Sequence, residues 1–99
     1  MEIGIIPRTN YTSITLTGRL DTITSPKLQE ALTEAIANSE KVELDFKEVE
    51  YVSSAGLRVL LLGEKSTKAA GKTMTLKNIS PDVLEVFEVT GFTEVLTIE

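Results

Sequence analysis

Ninety-nine residues, 41% of them hydrophobic and only three of them proline, suffice for one core and are too few for two. The absence of cysteine and histidine excludes thiol nucleophiles, disulfides, imidazole bases and the usual zinc ligand sets, so no metal or cofactor is expected. Ten basic against fifteen acidic side chains give a net charge of −5, which opposes nucleic acid, and Lys65, Lys68, Lys72 and Lys77 are too dispersed to reverse this and read as solvated charges.

The opening "MEIGIIPRTN" has no basic leader followed by a long apolar stretch, and no run of about eighteen apolar residues follows anywhere. A soluble cytoplasmic domain without membrane insertion is therefore expected. "MEIGII" supplies a short first strand that Pro7 confines to an end or an edge. "TSITLTG" alternates Ile14 and Leu16 with Ser13, Thr15 and Thr17, the period of a strand with one covered face. In "SPKLQEALTEAIANS" the residues Leu28, Ala31, Leu32, Ala35 and Ile36 follow the spacing of one buried helix face, with Ser25 as the expected cap and Pro26 in the first turn. "KVELDF" is a third strand through Val42, Leu44 and Phe46; it ends near Phe46, and "KEVEYV" leads on to the second helix. That helix lies in "SSAGLRVLLLGEKSTKAAG" and stops at Gly71. "TMTLK" is a fourth strand. Ser80, Pro81 and Asp82 open a third helix with Val83, Leu84, Val86 and Phe87 inward and Gly91 as its left-handed stop, and "EVLTIE" closes the chain as a last strand.

Alternating helices and strands imply crossovers and largely parallel pairing, with the first two strands as an antiparallel pair. Polar residues on one side of each strand leave one main face for the helices. The expectation is a single domain over residues 1–99: a small two-layer α/β fold with a mixed sheet of four to five strands and three main helices mostly on one face.

Two serines, Ser53 and Ser54, stand where the second helix begins, followed by the small residues Ala55 and Gly56. A serine there caps free N–H groups, and the same N–H groups with their aligned dipoles accommodate a phosphate. Gly56 is expected to keep the approach to Ser54 uncrowded. Beyond the serines, Leu57, Val59, Leu60, Leu61 and Leu62 form a collar broken only by Arg58. Neighbouring helices account for part of this collar, and the remainder is a candidate partner-binding patch. Asp21 reads as a turn residue, and Asp45 either bonds the following loop or faces solvent.

"TGRLDTITSPKLQEAL" followed by "LDFKEVEYVSSAGLRVLLLG" resembles the STAS domain family, in particular the bacterial anti-sigma factor antagonists, over essentially the whole chain. Gly18, Arg19, Leu20 and Asp21 match the family's Gly-x-Leu-Asp turn. Asp45 matches an aspartate in its third strand, and Ser54, Ala55, Gly56 and Leu57 match its helix-opening signature. The resemblance implies that Ser54 is a phosphoacceptor, with Ser53 as the alternative, and that Asp21, Ser53, Ser54, Ala55, Gly56, Leu57 and Arg58 form the partner-binding surface. It also implies a partner that is an anti-sigma factor with serine kinase activity, and a phosphatase that reverses the modification. One position departs from the pattern: Ser53 stands where the family carries aspartate.

Two readings compete with this one. A constitutive STAS module, serving as scaffold or subunit in a stress-signalling or transport complex, needs no phosphorylation. An enzyme using Ser54 as nucleophile would need glycine where Val52 stands and a base that a histidine-free chain lacks, so a catalyst is not expected.

Overall fold

In the computed structural model, which describes residues 1–99, the strands are β1 (Glu2–Pro7), β2 (Tyr11–Leu20), β3 (Lys41–Val52), β4 (Thr73–Lys77) and β5 (Thr97–Ile98). The helices are α1 (Ser25–Asn38), α2 (Ser54–Ala69) and α3 (Pro81–Thr90), with a 3-10 turn at Phe92–Glu94. The strands lie in chain order across one mixed sheet; β1 and β2 are antiparallel and every later pair is parallel.

Sheet alternation places Ile14, Leu16, Val42, Leu44, Phe46, Met74 and Leu76 on one face, where they join buried residues of all three helices in a core of 20 side chains. Phe87 of α3 meets Phe46 edge-on, with centroids 6.1 Å apart, so α3 covers this face as well. The opposite face is polar. There Lys41 and Lys77 both bridge to Glu43 and Glu99. Lys77 is thus paired at the surface while its side chain stays 39% exposed, and Lys72 donates to the Ile36 carbonyl, one of the unpaired acceptors at the end of α1.

β3 does not stop near Phe46 but continues to Val52, so "KEVEYV" is strand and leads straight into α2. The pairing with β2 shifts register between Thr15 and Thr17 and again between Gly18 and Arg19, each time adding a residue on β3. These bulges change the spacing of buried residues from two to three, giving Phe46, Val49 and Val52, and so break the pattern that marks a strand. The start of α1 also differs from expectation. Thr24 occupies the cap position without a side-chain cap bond, and the Ser25 hydroxyl donates instead to the Asp21 carbonyl at 2.5 Å. Ser80 does cap α3, and Gly91 (φ 79°) ends it in the left-handed region.

The collar on α2 divides. Leu57, Val59 and Leu60 are buried, Leu61 is half-buried, and Leu62 is 43% exposed along the groove between α1 and α2. The exposed part of the collar thus lies two turns beyond the serines.

Candidate functional site

Parallel pairing sends β2 and β3 to the same end of the sheet, where each hands over to a helix. The starts of α1 and α2 therefore lie side by side, each with unpaired N–H groups and the positive end of its dipole. Thr22, Ser25, Pro26 and Gln29 on one side, and Ser54, Ala55, Arg58 and Val59 on the other, line the shallow depression between them.

The two serines divide the work. Ser53 is the cap of α2: its backbone is extended, its Oγ accepts from the Gly56 N–H at 3.4 Å, and its own N–H donates to the Leu20 carbonyl at 2.8 Å. Ser54 is the first helical residue and is exposed in the depression. Arg58, also exposed, follows one turn later on the same wall. Ala55 is half-buried, whereas Gly56 and Leu57 are buried and face inward. Gly56 therefore does not shape the approach to Ser54. A Cβ there would stand 2.7 Å from Leu20 Cγ and 2.9 Å from the Leu20 carbonyl oxygen, so its lack of a side chain lets α2 start directly against the end of β2.

Asp21 organises the adjoining turn. Its Oδ1 accepts from the backbone N–H groups of Ile23 (3.0 Å) and Thr24 (3.1 Å), while its own N–H donates to Thr24 Oγ1 at 2.8 Å. The Thr24 hydroxyl in turn donates to the Arg19 carbonyl at 2.7 Å. The Thr24 N–H foremost, with the Ile23 N–H and the Arg19 charge, holds the Asp21 carboxyl below its ordinary value of 3.8 against an opposing desolvation. A carboxyl lowered on folding contributes stability that is complete above about pH 4 and is lost as the pH falls through the native value. Asp21→Asn is accordingly expected to flatten this part of the acid limb; urea midpoints of both proteins, followed downward from pH 5, check it, and parallel curves would remove Asp21 from the acid transition.

Asp45 is tied down as well, its Oδ1 accepting from the Lys47 N–H at 2.9 Å and from Asn78 Nδ2 at 3.1 Å. It lies on the third strand, away from the depression, and fixes the turn in which Asn78 adopts φ 59°. No group of three or more acidic side chains stands close enough to hold a metal ion.

The placement of three residues beside the serines was not evident from the sequence. Arg19 lies over the Tyr51 ring, 4.1 Å from its centroid, because the bulges bring these two positions into register. Ile23 is 82% exposed in the turn that Asp21 holds, next to Thr22 at the mouth of the depression. An isoleucine outside both the strand and the helix periodicity was the available signal for Ile23; the Arg19–Tyr51 pair had none.

Comparison with known proteins bears on this site. The family model described as "Mlab, STAS domain" matches residues 8–97. BtrV of Bordetella bronchiseptica, named as an anti-sigma factor antagonist, is 33% identical over 84 residues, which cover 84% of this chain and 72% of BtrV. The anti-sigma-B factor antagonist of Bacillus subtilis is 24% identical over 98 residues, covering 99% and 90%. Among solved structures, the anti-sigma factor antagonist SpoIIAA in its unphosphorylated form aligns with TM-score 0.78 at 19% identity, covering 99% of this chain and 87% of that one. The phosphorylated form of the Bacillus protein SpoIIAA aligns with TM-score 0.77 at 20% identity, covering 99% and 91%. At these identities the structures establish the shared fold.

Proposed function

This chain belongs to the STAS domain family, anti-sigma factor antagonist type, and from that premise we propose that it binds an anti-sigma factor while unphosphorylated and is released when Ser54 is phosphorylated. The observation that carries the proposal is the division between the serines. Ser53 supplies the cap, so the Ser54 hydroxyl stands exposed at a helix start without being needed to hold that helix.

A phosphate on Ser54 brings about −1.5 to −2 charges at neutral pH. The starts of two helices and the cationic Arg58 stabilise it locally, and the same charge opposes an acidic or apolar partner surface seated on the depression. Ser53, Ala55, Arg58, the Asp21 turn and the exposed Ile23 form the surface offered to that partner, while Gly56 and Leu57 fix it from beneath. The protein serves as substrate and ligand in the cytoplasm: an anti-sigma factor with serine kinase activity adds the phosphate, and a phosphatase removes it. No helix is long and apolar enough to cross a membrane.

The constitutive module is the second reading, favoured by Ser53 at the place of the family's aspartate. Two measurements separate the readings. Intact mass and peptide mapping of the protein from its own cells, in growth and under stress, should show a phosphate on Ser54 that changes with condition. Ser54→Asp should weaken binding to the anti-sigma factor by at least about tenfold while the fold persists, and Ser54→Ala should bind as the parent does with its cap intact. Equal affinity of the two variants would leave the constitutive module.

A further inference from the structure

We propose that the open edge of β1 pairs with β1 of a second copy of this chain, antiparallel about a two-fold axis at Gly4.

The two edges of the sheet are built differently. β5 spans only Thr97–Ile98, and the next residue, Glu99, is ion-paired to Lys41 and Lys77, so this edge is short and charged. β1 is six residues long, pairs with β2 without a bulge, and exposes Ile5 (46%) and Ile6 (39%). Pro7 stands only at its end. None of the devices that protect an edge strand lies between Ile3 and Ile6, and an unpaired row of N–H and C=O groups beside exposed isoleucines is a template for another strand.

The occupant follows from the charges above that edge. The right-handed crossover from β2 to β3 makes α1 antiparallel to β2, and hence parallel to β1. A groove between α1 and β1 is lined by Ile3 and Ile5 below and by Lys27, Glu30 and Glu34 on one stripe of α1. None of these three charges takes part in any of the five ion pairs of the chain. A two-fold at Gly4 sets Ile3 opposite Ile5 of the second copy, both on the helix side, and sets Pro7 beyond the ladder, where no N–H is required. It also sets the two α1 helices antiparallel, so that Lys27 of each copy faces Glu34 of the other. The two Lys27–Glu34 pairs are complementary, as an isologous interface must be, and they have to outweigh the like charges of the two Glu30 side chains that meet near the axis. The same operator turns the two Ser54 sites to opposite ends of a continuous sheet, so pairing leaves both accessible.

Sedimentation of the purified chain from micromolar to millimolar concentration tests the pairing. The expected result is a reversible dimer that high salt weakens. Lys27→Glu, an exposed substitution whose fold circular dichroism verifies, should raise the dimer dissociation constant about tenfold or more, and Lys27→Glu combined with Glu34→Lys should restore it. A monomer at millimolar concentration, or a dimer that is indifferent to Lys27→Glu or not restored by the double exchange, would overturn the proposal.

Discussion

Phe87→Ala is expected to destabilise the protein by about 3–5 kcal/mol. α3 buries only two side chains, Val83 and Phe87, and Phe87 is fully enclosed with its ring edge-on to Phe46. Its truncation leaves a cavity beneath α3 and removes an aromatic pair that adds to the area term. Val83 and the half-buried Val86 would then hold the helix. A domain of this size has about 5–15 kcal/mol in total, and the midpoint of thermal unfolding should fall by roughly 15–30 °C. Urea and thermal unfolding measure the loss; a change below about 1 kcal/mol would mean that the core closes around the missing ring. Because α3 contributes no residue to the depression at Ser54, the start of α2 should keep its geometry in the folded fraction of this variant.

Gly56→Ala acts on the site itself. An added methyl meets both the Leu20 side chain and the Leu20 carbonyl, and that carbonyl cannot retreat without lengthening its 2.8 Å bond from the Ser53 N–H. Overpacking of this kind costs about 1–3 kcal/mol, against which the better helix propensity of alanine returns up to about 1 kcal/mol. The net change is a loss, and the strain falls on the cap. Backbone amide shifts should move at Ser53 through Leu57 and stay in place in α3. An alanine variant as stable as the parent, with unshifted Ser53 and Ser54 amides, would show that the start of α2 has slack that these contacts deny.

What was legible in the chain is what a regular period encodes. Ile14 and Leu16, Val42 with Leu44 and Phe46, and the stripe from Leu28 to Ala35 all recur at the spacing of their elements, and the structure places each of them in the core. Element order, the antiparallel first pair and the parallel remainder follow from that spacing and from the connections. The second half of β3 was hidden because its bulges arise from pairing with β2, a partner that local periodicity does not contain. Ser25 was misassigned for a similar reason: the Asp21 turn supplies an acceptor, the Asp21 carbonyl, that draws the serine hydroxyl away from the cap position. At the site, Ser53, Ser54 and Asp21 were visible as residue types in a pattern. The burial of Gly56 and the stacking of Arg19 on Tyr51 depend on distances between strands and appeared only in three dimensions.

The single antiparallel pair in an otherwise parallel sheet has a consequence in time. Ile5 reaches Ile14 through a short connection, whereas Ile14 reaches Leu44, and Leu44 reaches Leu76, only after an intervening helix has been traversed. Closing those longer loops costs chain entropy before any contact repays it, so the hairpin of β1 and β2 can form in about 1–10 μs while the complete sheet assembles on the order of milliseconds. During that interval Ile3 and Ile5 stand on a nascent hairpin whose helix-side face α1 does not yet approach. Slower docking of α1 would lengthen the time for which that apolar face, besides the open edge, is exposed to other newly made chains.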